Sequence, residues 1–494
     1  MNDKKYSVSD LLLFNKSPFA YWCKRVNNLV EKREIDKSFK IPVTERNLYS
    51  EHFLHKTEAH EVSLKDYYLI QQEKNVIDFS SNSTFKNTLR SMKNKSQVIY
   101  QGSLEGKEFT ARPDFLVLNK NQKYDIVDAK FSKNLKENYK LQLYCYGYLI
   151  NEIEGYFPES SFIYLLGNKF VEVQIQDYED IFSELKQNFF DFISTFDLEK
   201  PPHPFKNEYS NNEFSDQIMK TWAEKESLEL IGGITFKQVK ELNSSGVRTL
   251  KELSNCEHNP TGITNTSFSK LLKKANALIQ SGEEIFFEVN LENTKDLIGI
   301  QEPDNGDMYI DFEWYPYSGE LENFFYLFGY YQINENESSF DYLWCDAEDE
   351  EESNLKKFVD ILISQKQQNP NAKIYHYNHS EKTELLKLCN KYDYKENEVK
   401  EIIDNSFVDL LKPIRNSFTM GLTSNSLKEV EKVLKIDRLE EVQSGEQSMK
   451  YFESFYFEDN WDVMKDIVEY NKQDCENLYA LHKWIVNQKS LLKS

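Results

Sequence analysis

Tyr124-Asp-Ile-Val-Asp-Ala-Lys130 is the stretch that decides the fold of the N-terminal third of the chain. Its short apolar centre, bounded by charged residues, predicts a β-strand. Because side chains two positions apart on a strand project from the same face, Asp128 and Lys130 are expected to lie side by side. Exposed strands often carry such pairs, so the neighbouring sequence must decide whether this pair is a site.

The sequence before this strand supplies a second acid. Residues 97–104 and 107–117 alternate as two strands of a hairpin that turns at Glu105-Gly-Lys. Asp114, preceded by a proline, is predicted to lie on the second of these strands, with 13 residues between it and Asp128. The combination of Pro-Asp with Asp-x-Lys at this spacing is far more specific than either pattern alone.

A helix is predicted after the strand. Residues 140–149 have helical spacing, which places Gln142 and Tyr146, four positions apart, on one face of the helix. The two acids, the lysine and the Gln-x-x-x-Tyr pair therefore follow one another in the order that a single site would need.

These residue types fit the hydrolysis of a phosphodiester bond. A hard divalent cation takes oxygen ligands, here Asp114 and Asp128, and lowers the pKa of a bound water. Lys130 would orient that water or neutralise charge that builds on the phosphate. The alternative is a set of solvated charges without a catalytic role.

The pattern resembles the RecB-like branch of the PD-(D/E)xK nuclease superfamily, in which Gln-x-x-x-Tyr follows the catalytic lysine. The resemblance implies a histidine ligand from an upstream helix, at His60, with Glu61 as its neighbour. His52 and His55 are competing candidates for that ligand. Some relatives bind an iron–sulfur cluster through four cysteines, but this segment holds only two, so that cofactor is not expected.

A second group of acids lies in the C-terminal part of the chain. Asp311 and Glu313 are predicted to share one face of a strand, and Glu381 follows a strand that runs into a helix. Near the end of the chain, Tyr470 and Asp474 stand four apart on a predicted helix.

These motifs resemble those of DEDD exonucleases of the RNase H-like fold. The resemblance implies two metal ions bound by Asp-x-Glu, a carboxylate after the strand-to-helix turn, and the aspartate of Tyr-x-x-x-Asp. The second motif usually ends in aspartate, whereas Glu381 stands here, and Asp409 is a spare candidate for that ligand. A degenerate domain that only binds nucleic acid is the alternative.

The chain is therefore predicted to be an α/β multidomain protein of three parts. Residues 1–200 would form a PD-(D/E)xK restriction-endonuclease-like core, and residues 284–494 an RNase H-like domain of the DEDD exonuclease type. The whole chain resembles predicted bacterial RecB-like nucleases with a C-terminal RNase H-like domain, in which residues 201–283 would be a helical, helix-hairpin-helix-like unit. The glycines of 231–234 and 245–247 are candidate hairpin glycines, and plain helical packing is the alternative.

The net charge of the chain is not typical of a protein that binds nucleic acid. The formal net charge is −22, yet residues 81–140 hold 12 basic against 6 acidic residues. Binding depends on such a local patch rather than on the sum. Lys133, Lys136 and Lys140 are expected to flank the cleft or, alternatively, to form a solvated turn. The acidic run at 346–352 is expected to be a solvated loop or helix end.

We therefore expect a nuclease that uses Mg²⁺ or Mn²⁺ to hydrolyse DNA, or RNA, in repair, recombination or antiviral defence. The alternative is a nucleic-acid-binding or scaffold subunit in which one or both sites are degenerate. A helicase or other motor protein is an expected partner, because the chain has no Walker A sequence of its own. The six scattered cysteines and the lack of a long apolar run favour a cytoplasmic protein with no membrane contact.

Overall fold

The computed structural model describes residues 5–44, 51–210, 212–316, 323–334, 338–438 and 445–492. The chain divides into two compact units. The first comprises Met1–Pro204 and Glu208–Gln217, and the second comprises Phe205–Asn207, Ile218–Ser318 and Glu322–Ser494, each so far as it is described. None of the described helices is both long and apolar enough to cross a lipid bilayer.

The first unit mixes helices and short strands. In chain order its elements are β1 (Tyr6–Ser7), α1 (Val8–Lys16), α2 (Pro18–Glu31), α3 (Glu51–Asp66), β2 (Val76–Asp78), α4 (Phe85–Lys93), β3 (Val98–Tyr100), β4 (Leu104–Glu105), β5 (Phe109–Ala111), β6 (Phe115–Leu118), β7 (Tyr124–Ala129), α5 (Glu137–Glu154), β8 (Ser161–Leu165), β9 (Lys169–Glu172) and α6 (Glu179–Ser194).

A six-stranded mixed sheet carries the first group of acids. Its order is β2-β3-β6-β7-β8-β9, with β3, β6 and β7 antiparallel and β8 parallel to β7. A parallel neighbour needs a crossover, and α5 supplies it between β7 and β8. The strand at β7 and the helix at α5 confirm the elements predicted around Asp128 and Gln142.

The prediction of two continuous hairpin strands at 97–104 and 107–117 is wrong. Each is broken in two, so that β3 and β6 pair in the large sheet while β4 and β5 pair in a small sheet with β1. Gln101 has a positive φ of 56°, which ends β3, and Pro113 has no N–H for a ladder hydrogen bond. Asp114 therefore lies in a bend just before β6 rather than on a strand.

The second unit contains a sheet of fewer but longer strands. Helix α7 (Ser215–Glu224) leads into it, and its further elements are α8 (Phe236–Ser244), α9 (Leu250–Ser254), α10 (Asn265–Gln280), β10 (Phe287–Val289), α11 (Lys295–Gly299), β11 (Met308–Tyr315), β12 (Phe324–Gln332), β13 (Ser339–Trp344), α12 (Glu351–Gln368), β14 (Ile374–His376), α13 (Ser380–Lys391), α14 (Glu396–Ser406), β15 (Phe407–Asp409), α15 (Leu411–Ser417), β16 (Phe418–Met420), α16 (Leu427–Leu434), α17 (Gly445–Glu458) and α18 (Asp462–Leu491).

The five-stranded sheet of this unit has the order β13-β12-β11-β14-β15. The first three strands form an antiparallel meander, and β14 and β15 continue the sheet in parallel to β11. Helix α18 packs across β11 and β12. Gly329 on β12 is opposite Asp311, and a Cβ at Gly329 would overlap the buried side chain of Asn471 on α18. The missing side chain therefore lets α18 lie close to the acid-bearing strand.

Helices α8, α9 and α10, which lie in the predicted middle part of the chain, belong to the second unit. Lys274 on α10 donates a hydrogen bond of 2.6 Å to the Gly232 carbonyl oxygen, and the end of α10 closely contacts Gly421 after β16. Gly246, one of the candidate hairpin glycines, has a φ of 85°, the left-handed backbone that commonly ends a helix such as α8.

The acidic run at 346–352 was predicted to be solvated, but one of its residues is buried. It precedes and begins α12, but Glu351 is only 1% exposed. The Glu351 carboxylate accepts hydrogen bonds from the Phe325 backbone N–H at 2.6 Å and from the Lys391 ammonium at 2.7 Å. A buried carboxylate needs such partners, and they are distant in sequence, so the run itself could not reveal them.

Candidate active sites

Three carboxylates converge in the second unit. Asp311 and Glu313 project from the same face of β11, and Asp474 projects from α18, which crosses that strand. One ligand oxygen from each of the three lies within 4.8 Å of the others. The alternation of side chains along the strand and the crossing helix thus bring together acids that are 161 and 163 residues apart in the sequence.

Glu381 is the fourth predicted acid, and it lies near this cluster. It begins α13, is buried, and raises the pKa of Asp311 through the repulsion between the two carboxylates. Its Oε2 atom is 3.6 Å from Nδ1 of the buried His376, and neither atom has a hydrogen-bond partner among the described residues. Buried polar atoms without partners are rare, and one of these two belongs to a carboxylate that is close enough to Asp311 to repel it.

The acids of this cluster perturb one another. Burial raises the pKa of Asp311 well above its ordinary value, and repulsion from Asp474 and Glu313 raises it further. Burial, with repulsion from Asp474, raises the pKa of Glu313 to about 8. Burial also raises the pKa of Asp474, although the neighbouring Arg438 opposes that shift. Carboxylates in this arrangement favour the binding of a cation, which offsets both burial and repulsion.

Two basic residues that the sequence analysis did not single out face the cluster. The Arg438 guanidinium forms an ion pair with Asp474 and donates two hydrogen bonds, of 2.7 and 2.6 Å, to the Glu431 carboxylate. Lys428, at the start of α16, lowers the pKa of Glu313 and of Asp474. Positive charge therefore already lies next to the acids. Only tertiary structure reveals it, because α16 contributes no motif of its own.

Helix α18 contributes two more side chains. The Asn471 amide donates hydrogen bonds to the Asp311 backbone oxygen at 3.1 Å and to its carboxylate at 2.8 Å. Tyr470 is buried, and its pKa is raised by burial and then by the nearby Asp474 and Glu313. Asn471 was missed from the sequence, although it adjoins the predicted Tyr470.

Asp409, the spare candidate, has different partners. Its Oδ1 atom accepts hydrogen bonds of 2.9 Å from the backbone N–H groups of Asn378 and Leu411. These bonds tie two loops together at the end of β15, and the acid cluster does not include Asp409.

The first unit brings its predicted residues together as well. Asp114 accepts a hydrogen bond of 2.8 Å from the backbone N–H of Ala129, the residue between Asp128 and Lys130. Lys130 forms an ion pair with Asp128, which is only 1% exposed. Burial raises the pKa of Asp114 well above its ordinary value and Asp128 adds to the shift, whereas Lys130 opposes it.

Glu61 is linked to Asp114 by the side-chain amide of Gln101. The Gln101 amide donates to the Glu61 carboxylate and, at 3.2 Å, to Asp114 Oδ1. The amide lies between the two carboxylates and is bonded to both. In the described part of the first unit, no three carboxylate, histidine or cysteine ligand atoms lie as close together as those of Asp311, Glu313 and Asp474. Sequence reasoning named Glu61 only as a neighbour and did not single out Gln101.

The helix α5 pair closes this site on one side. The Gln142 amide donates a hydrogen bond of 2.5 Å to the Tyr146 hydroxyl. The pKa of the buried Tyr146 is raised by burial, and then by Asp128 and Asp114. Tyr146 therefore lies near enough to the two acids to feel their charge, and the role of this helix face stays a prediction.

His60, the predicted histidine ligand, makes other contacts. Its ring stacks on Tyr164 with 4.8 Å between centroids, and its Nε2 atom is 3.3 Å from the Tyr164 carbonyl oxygen. Burial lowers the pKa of His60, which keeps the imidazole neutral. His55 is exposed, 3.9 Å from Glu58, and the side chain of His52 lies outside the described residues.

The lysines after β7 are engaged locally. Lys140 donates a hydrogen bond of 2.7 Å to Glu137, and the Lys136 ammonium lies 5.7 Å from the centroid of the Tyr139 ring. Lys130 lies over the same ring at 5.6 Å. Of the three lysines predicted to flank the cleft, Lys136 thus contacts the same ring as Lys130, and the flanking role of the three stays a prediction.

Comparison with known proteins supports an assignment for the fold of residues 308–486 in the second unit. The model of a family in the RNase H superfamily matches residues 308–486, which include the five-stranded sheet and the carboxylates of the second unit. No curated protein and no solved structure was found to be similar. The prediction of a C-terminal RNase H-like domain is confirmed, and this domain suggests a metal-dependent, nuclease-type function on nucleic acids.

Proposed function

We propose that the protein is a nuclease that hydrolyses DNA with Mg²⁺ or Mn²⁺ and that its RNase H-like domain carries a working site. The observation that carries the proposal is the convergence of Asp311, Glu313 and Asp474 within 4.8 Å, with the pKa of each raised. A cluster of this kind is costly to bury unless a cation neutralises it. Hard cations with oxygen ligands are the ones that suit it.

The residues present fit a divalent cation. Asp311, Glu313 and Asp474 would hold it, and Glu381 offers a further carboxylate with an unpartnered buried oxygen. When bound, the ion polarises the phosphate and lowers the pKa of a water molecule. Asn471 fixes the Asp311 carboxylate in place.

The chain itself supplies positive charge for a phosphate. Lys428 and Arg438 face the acids from α16 and the segment after it. Arginine is suited to a phosphate because its planar fork donates two parallel hydrogen bonds. The Tyr470 hydroxyl, whose raised pKa keeps it protonated, is a further donor near this cluster.

The first unit is proposed to carry a second, PD-(D/E)xK site. Asp114 and Asp128 would be its ligands, joined by Glu61 and the predicted His60, and Lys130 would hold the attacking water or the phosphate. The support is the hydrogen bond between Asp114 and the backbone between Asp128 and Lys130. Lys130 keeps its proton, because Asp128 and Asp114 raise its pKa although burial alone would lower it.

The RecB-like assignment, the three domains at 1–200, 201–283 and 284–494, and a role in repair, recombination or defence belong to the same proposal. So does a helicase partner, which would supply the motor that the chain lacks. These parts are supported by the sequence resemblance.

The test is metal-dependent cleavage of labelled DNA by the full chain and three variants. Lys130→Ala and Asp311→Asn should each leave residual cleavage, and the double variant should leave none. Each change is small and removes one charge, so folding is checked by circular dichroism. Loss of all cleavage in Lys130→Ala alone would show that the second site is inactive, and cleavage by the double variant would refute both sites.

One observation favours the alternative of a binding subunit. Arg438 already neutralises Asp474. If that ion pair persists in the presence of Mg²⁺, the RNase H-like domain would bind nucleic acid without cutting it. In that case Asp311→Asn would cleave DNA as the parent chain does, Lys130→Ala alone would abolish cleavage, and the DNA affinity of both variants would match that of the parent chain.

A further inference from the structure

A basic pocket lies in the second unit between α10 and the segments that flank β10 and β16. We call it the α10 pocket, and its volume is about 280 Å³. Its lining includes Thr266, Ser269, Lys270 and Lys273 from α10 and Arg415 from α15. It shares no residue with the acid cluster of the same unit.

The helix side of the pocket is basic by composition. Thr266, Lys270 and Lys273 recur at helical spacing and so share one face of α10. The whole helix, Asn265–Gln280, contains three lysines and no acidic residue. In a chain with a net charge of −22, a 16-residue helix of this composition is a local reversal of sign.

The facing wall adds donors from two other elements. Arg415 projects from α15, another helix without an acidic residue, and Asn290 follows β10. The buried Oδ1 atom of Asn290 accepts rather than donates and has no partner among the described residues, so any contact of Asn290 with a phosphate would come from its Nδ2 amide. Glu292 is the one acid in the lining, and the lining residue Asn416 donates its amide to Asp296 at 2.7 Å.

The positive charges of the two walls act on one another. Burial lowers the pKa of Lys274, and Lys270 and Arg415 lower it further. Since the Lys274 ammonium is held by the Gly232 carbonyl oxygen, it cannot turn away from them without losing that bond. Cations from α10 and α15 are therefore close enough to repel, and an anion between them would remove the repulsion.

We infer that the α10 pocket binds a backbone phosphate of the nucleic acid on which the protein acts. The lining offers hydroxyl, ammonium and guanidinium donors, which are the groups that bind phosphate oxygens in protein–nucleic-acid complexes. Its volume admits one phosphodiester group with part of its sugars but no base stack. The inference rests on the proposed function only for the identity of the ligand, because the pocket is separate from both proposed catalytic sites.

The experiment measures binding without cleavage. A fluorescein-labelled 20-nucleotide single-stranded DNA, the same sequence as RNA, and its DNA duplex are titrated with the full chain in EDTA, at several salt concentrations. The test variant is Lys270→Glu with Lys273→Glu. The matched control is Lys400→Glu with Lys465→Glu, which changes the charge of the chain equally on exposed residues of α14 and α18.

Affinity should fall about tenfold in the test variant, and the slope of log affinity against log salt should become shallower by about 0.7 for single strands or about 0.9 for the duplex, since the contact with one phosphate is lost. The control should match the parent chain. Arg415→Gln repeats the test from the other wall, in case substitutions in α10 impair folding. The three probes show which nucleic acid supplies the phosphate.

Equal affinity and equal slope in the test variant, Arg415→Gln and the control would overturn the inference. The result is independent of the proposed function. A chain that cleaves DNA but binds it equally well without the pocket lysines refutes the pocket alone. A chain whose binding depends on the pocket but which cleaves nothing refutes the nuclease proposal alone.

Discussion

Replacing Glu313 by glutamine should remove a pH dependence of the metal-free fold. Its pKa is about 8 in the folded chain, against an ordinary value of 4.5. Because the folded pKa is the higher one, the stabilisation is fully present below pH 4.5 and is lost as the pH rises toward 8. Each pH unit in that window is worth about 1.4 kcal/mol, so Glu313 alone should reduce stability by roughly 3 kcal/mol between pH 5.5 and 7.5.

The measurement is urea unfolding in EDTA at pH 5.5, 6.5 and 7.5, with the slope against urea held constant across the series. Glu313→Gln should lose roughly 3 kcal/mol less stability over this range than the parent chain, while the raised pKa values of Asp311 and Asp474 leave the remainder of the pH dependence in place. Glu398→Gln, an exposed substitution on α14, controls for the loss of any glutamate. Parallel curves for the parent and Glu313→Gln would show that Glu313 is ionised at neutral pH and that the cluster does not strain the fold.

Three further substitutions test individual contacts. Arg438→Gln should destabilise the metal-free chain by about 3 kcal/mol, because it leaves the buried Asp474 unpaired, and Mn²⁺ should then raise its Tm more than that of the parent chain. Gly329→Ala should destabilise the second unit by about 2 kcal/mol or more in urea, since the new Cβ would overlap Asn471. Asp114→Asn should stabilise the first unit at pH 7.5 by about 1 kcal/mol or more and leave it unchanged at pH 4, because the raised pKa of Asp114 makes its ionisation unfavourable to the fold.

Local periodicity predicted the elements that carry the acids. Asp311 and Glu313 are two apart on a strand, and Tyr470 and Asp474 are four apart on a helix, so the face on which each pair lies follows from geometry. The RNase H-like fold was predictable from the order of these motifs, as the family match confirms. The roles of the individual side chains remain predictions.

The contacts that sequence could not supply are long-range ones. Arg438 approaches Asp474 across 36 residues, and Gln101 links Glu61 to Asp114 across 40 and 13. Such neighbours are set by tertiary packing rather than by any period in the chain. The predicted hairpin failed for a related reason, because positive φ at Gln101 ended a strand whose alternating pattern continues beyond it.

Gly329 has a consequence for ion binding at the proposed site of Asp311, Glu313 and Asp474. Because this position has no side chain, the Asn471 amide rests against the sheet and holds the Asp311 carboxylate through a contact made by the chain itself. We therefore expect the strand and the helix that bear the acids to stay together when an ion binds or leaves. Exchange of one divalent ion for another should then be governed by how fast each sheds its water, and Mn²⁺ should replace Mg²⁺ with the amides of β11 and α18 remaining protected from hydrogen exchange throughout.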